Sequence, residues 1–162
     1  MYKWVVFLHI LSVFGFLVSH GVSMNMAFAL RRERDLERLR ALLQLSTTSY
    51  TTMYPSLLLI VLTGILAGFQ GHWWGKGWIW AALIVLIVVV SAMYPMGSMV
   101  YGAAKNAVGL PSMQGGKAVP SGTSKSLEEI DSILKKANPI ALAAVGYGGL
   151  AVLAFLMVFK PF

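Results

Sequence analysis

Two histidines, His9 and His20, lie inside the first long apolar run of the sequence, residues 4–30. Eleven positions separate them, which on an α-helix is within about 20° of three full turns and about 16 Å along the axis. Both imidazoles therefore project from one face of one helix. Ionisable side chains at membrane depth are costly, and they mark a functional site or a satisfied polar contact. The pair predicts a face that turns into the protein, and imidazole nitrogens there suit the axial ligation of heme b.

The other candidate heme contacts follow from the position of this face. Phe16 lies on it between the two histidines and suits a porphyrin edge. His72, the third and last histidine, follows the second apolar run on the same side of the membrane as His9, so these two could share one iron. His20 would need Met24, a methionine of the third run, a second copy of the chain, or no partner. The alternative for each histidine is structural: a hydrogen bond to a carbonyl or hydroxyl for His9 and His20, and an interfacial position for His72.

The elements that position these residues are membrane helices. The chain has 162 residues, of which 57% are hydrophobic and 12% charged, with a mean hydropathy of +0.72. A hydrocarbon core of about 30 Å requires about 20 apolar residues per helix. Four segments satisfy this, at about residues 4–30, 47–70, 77–104 and 139–159. We therefore expect an all-α fold: one polytopic membrane domain over residues 1–162, built as a four-helix transmembrane bundle.

Short amphipathic helices are expected in the two long loops, residues 31–46 and 105–138. Leucines recur at helical spacing in the first loop, which should run directly into the second span. In the second loop, Ser126 and Glu129 match a capping box. The glycine- and proline-rich stretch 109–125 before it predicts a flexible segment.

The distribution of positive charge predicts the orientation. Ten Lys and Arg residues fall in the two long loops and three on the opposite side, within a net charge of +7. This asymmetry places the basic loops in the cytoplasm and both termini on the outer face, in a bacterial inner membrane. Basic juxtamembrane segments attract anionic lipid, so nucleic-acid binding is not needed to explain them. The three outer residues are Lys3, Lys76 and Lys160.

Several function classes lack the residues they need. None of the four runs contains Asp or Glu, which disfavours carboxylate-driven transport. The chain has no cysteine, which excludes disulfides, thiolate metal sites and covalent heme attachment. All six acids lie in the basic loops, so no outer nucleophile–base–acid set can be assembled. Phosphate-binding glycine motifs are absent from the sequence.

Small residues predict where helices approach one another. Gly64 and Gly68 form a G-x-x-x-G pair in the second run, which we interpret as packing within the chain. A small-residue stripe in the fourth run predicts that Ala144 and Gly148 face a neighbouring helix. Pro95 predicts a kink in the third run.

Four motifs follow one another along the first two thirds of the chain. They are Phe7-Leu8-His9-Ile10-Leu11, the basic stretch Arg31–Arg40, Met53-Tyr54-Pro55 with Gly64, and Gly77-Trp78. Their order resembles a broad group of bacterial four-helix membrane proteins. The group includes the heme-containing protoporphyrinogen oxidase family, the copper-resistance D-type membrane domains and uncharacterised relatives. The resemblance implies that His9 is a heme ligand.

Three functional hypotheses remain from the sequence. The first is a heme b-binding membrane protein in electron transfer or heme metabolism, with His9 and His20 as iron ligands. The second is a non-enzymatic membrane subunit or scaffold without a cofactor, and the third is a copper or small-solute module that uses His and Met. The lipid bilayer is the expected partner in each case, together with further copies of the chain or a larger membrane complex.

Overall fold

The computed structural model describes residues 1–114 and 117–162, so Gly115 and Gly116 of the stretch predicted to be flexible lie outside the described residues. Helices dominate the described chain, and one short antiparallel strand pair interrupts them. In chain order the elements are α1 (Tyr2–Leu30), α2 (Leu36–Gln70), α3 (Gly77–Met93), a π-helix (Tyr94–Met99), α4 (Val100–Ala107), β1 (Ser112–Gln114), β2 (Lys117–Val119), α5 (Leu127–Leu134) and α6 (Pro139–Phe159).

Four helical segments are long and apolar enough to cross a membrane. The first, α1, has 29 residues and is therefore about 43 Å long, more than the hydrocarbon core requires. Large apolar side chains remain exposed along these helices, as expected for surfaces that face lipid. Examples are Trp4, Phe14, Ile87 and Val158, all more than half exposed. The chain is a multi-pass membrane protein with the all-α fold that the sequence predicts.

The helix boundaries follow from local hydrogen bonds. The Asp35 side chain accepts from the Arg38 N–H at 2.9 Å and begins α2, which continues without a break into the membrane as predicted. The predicted capping box of α5 is formed by Ser126 and Glu129. The Asn138 side chain accepts from Ala141 N–H at 3.0 Å, and this cap separates α5 from α6. Each cap stabilises a helix start by about 1 kcal/mol.

The four spans pack as two pairs, α1 on α2 and α3 on α6. The pairs meet most closely at one end of the bundle, which we call the basic end because residues 31–35 and 108–138 lie there. A contiguous core fills this end, and α4 and α5 contribute to it. Its most deeply buried members are Leu43, Ala104, Ala107, Val108 and Ile130.

Aromatic rings fill the opposite end of the bundle, which we call the aromatic end and which carries both termini and the turn 71–76. Trp73 and Trp78 meet edge to face, with ring centroids 5.2 Å apart, and Tyr2 contacts Trp73 at 5.7 Å. The Lys160 ammonium lies 4.2 Å from the Trp73 centroid. The backbone N–H of Trp78 donates to the Phe162 carbonyl oxygen at 3.2 Å. Tryptophans at this level of a membrane bundle are typical of the interface between lipid and water.

The third span departs from a regular α-helix at the predicted position. Residues Tyr94–Met99 form a π-helix, and Pro95 explains its place because proline has no N–H for the α-helical bond. The helix then continues through α4 to Ala107, three residues beyond the predicted end of the span. In the loop that follows, β1 and β2 pair, with Met113 opposite Ala118.

The glycine contacts confirm one packing prediction and correct another. Gly64 packs against His9, and Gly68 packs against Ile79 and Trp74, so both glycines serve contacts within the chain. The prediction that Gly148 faces a neighbouring helix is wrong, because no atom lies within 4 Å of a Cβ built there, and Ala144 is exposed as well. Gly146 and Gly149 make the close approaches of α6 instead.

Candidate functional site

His9 lies against α2 at the level of Thr63 and Gly64. Its Nδ1 is 3.0 Å from the Thr63 hydroxyl oxygen. That hydroxyl donates to the Leu59 carbonyl, so its oxygen accepts from the Nδ1–H of a neutral imidazole. A Cβ on Gly64 would be 3.3 Å from His9 Cε1, which shows how closely the ring packs on the helix. His9 therefore has the satisfied polar contact that is the structural alternative to ligation.

His20 lies deeper, between α1 and α6, and is 4% exposed. Its ring stacks on Phe16 with centroids 5.6 Å apart and an interplanar angle of 9°. Tyr147 meets it edge to face at 5.3 Å. A Cβ on Gly146 would be 2.7 Å from His20 Nε2, so this nitrogen points at the backbone of α6. Both predicted histidines therefore face into the protein, but they contact different helices.

His72 lies in the turn at the aromatic end, with a positive φ of 55° and an exposed side chain. The helix from Thr63, which binds His9, to Gln70 rises about 10 Å before this turn begins. The structure therefore does not bring His72 to His9. Met24 is 3% exposed and belongs to the core at the basic end.

At most one of the two span-one histidines has a nitrogen left for the iron of heme b. An iron with His20 as its axial ligand would need open space at Nε2, where the α6 backbone lies. The His20 ring is also in contact with aromatic side chains. At His9, Thr63 holds Nδ1 and the ring packs on Gly64. Across residues 1–114 and 117–162, no group of three or more His, Cys, Asp or Glu side chains could hold a metal ion.

A cavity of about 150 Å³ lies between the two helix pairs, towards the basic end. We call it the central cavity. Aromatic rings and thioethers dominate its wall, and α1, α2, α3, the π-helix, α4 and α6 all contribute. The wall includes Phe16, His20, Ser23, Met24, Met26, Ser46, Tyr50, Met53, Tyr54, Val90, Met93, Tyr94, Gly97, Ser98, Tyr101 and Leu142.

Three residues of this wall carry a buried polar atom that has no hydrogen-bond partner in the described part of the chain. The atoms are Nε2 of His20, Oγ of Ser23 and the hydroxyl oxygen of Tyr101. A fourth such atom, Nε1 of Trp74, lies at the aromatic end. Buried polar atoms are normally paired, and each unpaired one costs about 1–3 kcal/mol. Three unpaired atoms around one cavity are therefore the most unusual feature of the bundle.

The cavity opens sideways, towards lipid. Of its wall residues, Tyr54, Val90 and Tyr94 are exposed, and they lie on α2, on α3 and at the start of the π-helix. Within the described residues, α2 and α3 are not among the helix pairs that pack along their length. A molecule dissolved in the bilayer can therefore reach the cavity between these two helices.

The π-helix shapes one side of the cavity. It supplies Tyr94, Gly97 and Ser98 to the wall, and Tyr101 follows one turn later on α4. A π-helical turn widens the helix and shifts the residues after it relative to those before it, and such turns occur frequently at functional sites. The kink that the sequence predicts at Pro95 thus coincides with the cavity.

Comparison of the chain with family models, with curated proteins and with solved structures finds no match. The site is therefore interpreted from its own residues.

Sequence reasoning found only part of this site. His20, Phe16 and Met24 were candidates and do line the cavity. Ser23 and Tyr101 were not, although the kink predicted at Pro95 lies close to Tyr101 on the same span. Their importance depends on which helices are neighbours, and the sequence pattern carries no signal for that.

Proposed function

We propose that this membrane protein binds one small, lipid-soluble amphiphile in the central cavity. The observation that carries the proposal is the set of three unpaired polar atoms, on His20, Ser23 and Tyr101, around a single cavity. A guest with an oxygen-bearing head and a hydrocarbon body would pair with the Ser23 and Tyr101 hydroxyls and fill the apolar remainder. Ligand sites typically combine a mostly apolar wall with a few placed polar groups in this way.

The composition of the wall supports the same function. Four methionines, Met24, Met26, Met53 and Met93, line the cavity. Methionine is flexible and polarizable, so such walls adapt to guests of different outline. The lateral opening gives a lipid-phase molecule direct access. This function corresponds to the small-solute hypothesis drawn from the sequence.

The two competing hypotheses have less support. Heme b rests on the family resemblance and on the common helix face of His9 and His20, whereas His20 Nε2 points at the α6 backbone and Thr63 engages His9 Nδ1, so that only His9 Nε2 is left for an iron. A scaffold without any ligand would leave the three polar atoms unpaired, at a combined cost of several kcal/mol. A bound amphiphile offers a partner for them.

The amphiphile 1-dodecanol tests the proposal in nanodiscs of phosphatidylcholine. We expect it to raise the thermal midpoint of the protein in a way that saturates with its mole fraction in the bilayer. Ser23→Ala and Tyr101→Phe each remove one hydroxyl and little else. Each should weaken dodecanol binding about threefold to tenfold, the value of one hydrogen bond.

Ser19→Ala is the matched control, because the Ser19 hydroxyl donates to the Gly15 carbonyl at 3.0 Å and does not line the cavity. It should leave dodecanol binding unchanged. A midpoint that does not respond to dodecanol, or that responds equally in all variants, would contradict the proposal. A Soret band in the purified protein would favour the heme hypothesis instead.

We further propose the orientation that the charge distribution favours, with the basic end in the cytoplasm and both termini outside. The chain has no cysteine, so single cysteines can be introduced at the exposed positions Ser121 and Gly75 without background. In intact cells, an impermeant maleimide should label Gly75→Cys and not Ser121→Cys. The opposite pattern would reverse the orientation.

A further inference from the structure

Lys105 is an unusual cation in this protein. The chain has thirteen Lys and Arg residues, all within the described residues, and Lys105 is the one that is buried, with 5% of its surface exposed. It lies on α4, where the sequence alone suggests an ordinary loop cation. A charged side chain that is removed from water requires a partner or pays a large desolvation cost.

No carboxylate in the described part of the chain forms an ion pair with Lys105. The acids are engaged elsewhere or exposed. Asp35 caps α2, and the backbone N–H groups of Asp35 and Arg34 bind the Glu33 carboxylate and lower its pKa. Asp131 pairs with Lys135 at 2.7 Å. The remaining acids are Glu37, which pairs with Arg40, Glu129, which caps α5, and the exposed Glu128.

The position of Lys105 connects it to the central cavity. Its ammonium lies 4.6 Å from the centroid of the Tyr50 ring, and Tyr50 lines the cavity. Tyr101, whose hydroxyl is unpaired, precedes Lys105 by four residues and so projects from the same face of α4. Lys105 is not itself one of the wall residues, and its ammonium adjoins the cavity through the Tyr50 ring, on the side of the basic end. A cation–π contact with Tyr50 offsets only part of its desolvation.

The shape of the cavity indicates how a guest would lie. Its wall extends from Val90 to Tyr101 along the third span, which is about 16 Å of helix. At about 150 Å³ it holds part of one alkyl chain and excludes the two chains of a phospholipid. A single-chain guest with its head at Lys105 would place the start of its chain in the cavity and the rest in the lipid between α2 and α3.

We propose that the guest is a single-chain acid, such as a fatty acid, whose carboxylate pairs with Lys105 and accepts a hydrogen bond from the Tyr101 hydroxyl. This inference rests on the proposed function and names its ligand class. The carboxylate supplies the missing partner of the buried cation, and its second oxygen supplies that of the phenol. The acyl chain contacts the methionines and aromatic rings of the wall.

Dodecanoic acid and 1-dodecanol, compared at neutral pH in phosphatidylcholine nanodiscs, test the inference. They share one chain and differ in the head. The wild type should bind the acid about tenfold more tightly than the alcohol, because hydrogen bonds and pairs that involve a charge are about twice as strong as neutral ones. Lys105→Met keeps the length and burial of the side chain and should abolish this preference while dodecanol still binds.

The matched control is Lys136→Met, which removes an exposed cation of the same end and should retain the acid preference. Lys105→Met should also raise the thermal midpoint of the ligand-free protein, since it removes an unpaired buried charge. Equal binding of acid and alcohol by the wild type would overturn the acid assignment and leave the proposed function standing. Binding of neither would overturn both. A midpoint shift of equal size with phosphatidylglycerol alone would assign Lys105 to lipid headgroups and overturn the single-chain acid.

Discussion

Replacement of Gly149 by alanine is expected to destabilise the bundle by about 1–3 kcal/mol, the usual cost of overpacking a close contact. A Cβ at this position would overlap the side chain of Val89 on α3, whose Cγ1 would lie 3.1 Å away and whose Cβ 3.3 Å away. Valine is β-branched and has few alternative rotamers, so it cannot move aside easily. The two helices would have to separate. The thermal midpoint in nanodiscs, without added ligand, measures the effect.

Gly148→Ala is the matched control, because it adds the same methyl group one position earlier on the same helix. Nothing lies within 4 Å of its Cβ. Its midpoint should equal or slightly exceed that of the wild type, since alanine has the higher helix propensity. Equal losses in both variants would mean that α6 does not pack on α3 through Gly149. A loss in Gly148→Ala alone would restore the face predicted from the sequence, through contact with a second chain.

Replacement of Ile130 by alanine should cost about 2–5 kcal/mol, the range for truncation of a large buried aliphatic side chain. Ile130 is fully buried on α5, in the core at the basic end. An isolated helix of eight residues is not stable in water, so α5 depends on this packing. We therefore expect a lower midpoint and faster amide hydrogen exchange throughout α5.

Leu127→Ala on the same helix provides the control, because Leu127 is 48% exposed. It should change the free energy of unfolding by less than about 1 kcal/mol. If the exchange rates of α5 stayed at wild-type values in Ile130→Ala, the helix would be held by something other than the core. The capping box at Ser126 would then be the next feature to remove.

The sequence predicts the spans well because lipid imposes a simple requirement on length and polarity. The first span begins at Tyr2 rather than residue 4, and the third ends at Ala107 rather than residue 104, since the alanines near its end fit a helix as well as a loop. The caps at Ser126 and Asn138 depend on neighbours in sequence and could likewise be anticipated. Local chemistry and hydropathy therefore account for most of the fold.

The packing and the site could be predicted only in part. His9 and His20 do turn inward, since lipid is a poor environment for both, but one helix face contacts two different neighbours along its length. Gly148 was predicted to pack against a helix because a stripe of small residues does not show which of its members face a neighbour. The burial of Lys105 depends on Tyr50, fifty-five positions earlier. Such contacts become visible only when the helices are placed in space.

If the central cavity takes the proposed amphiphile, the gap between α2 and α3 determines which concentration governs its occupancy. A guest that enters between Tyr54 on one side and Val90 and Tyr94 on the other comes from the bilayer. Occupancy of the cavity therefore follows the guest's mole fraction among the lipids and not its amount in water. Partitioning enriches an amphiphile by about 0.8 kcal/mol for each methylene that it buries in hydrocarbon. A weak preference for the cavity over the surrounding lipid then suffices for saturation at trace aqueous levels. Lengthening the guest by one methylene should therefore change the aqueous concentration needed for half-occupancy far more than the mole fraction needed in the membrane.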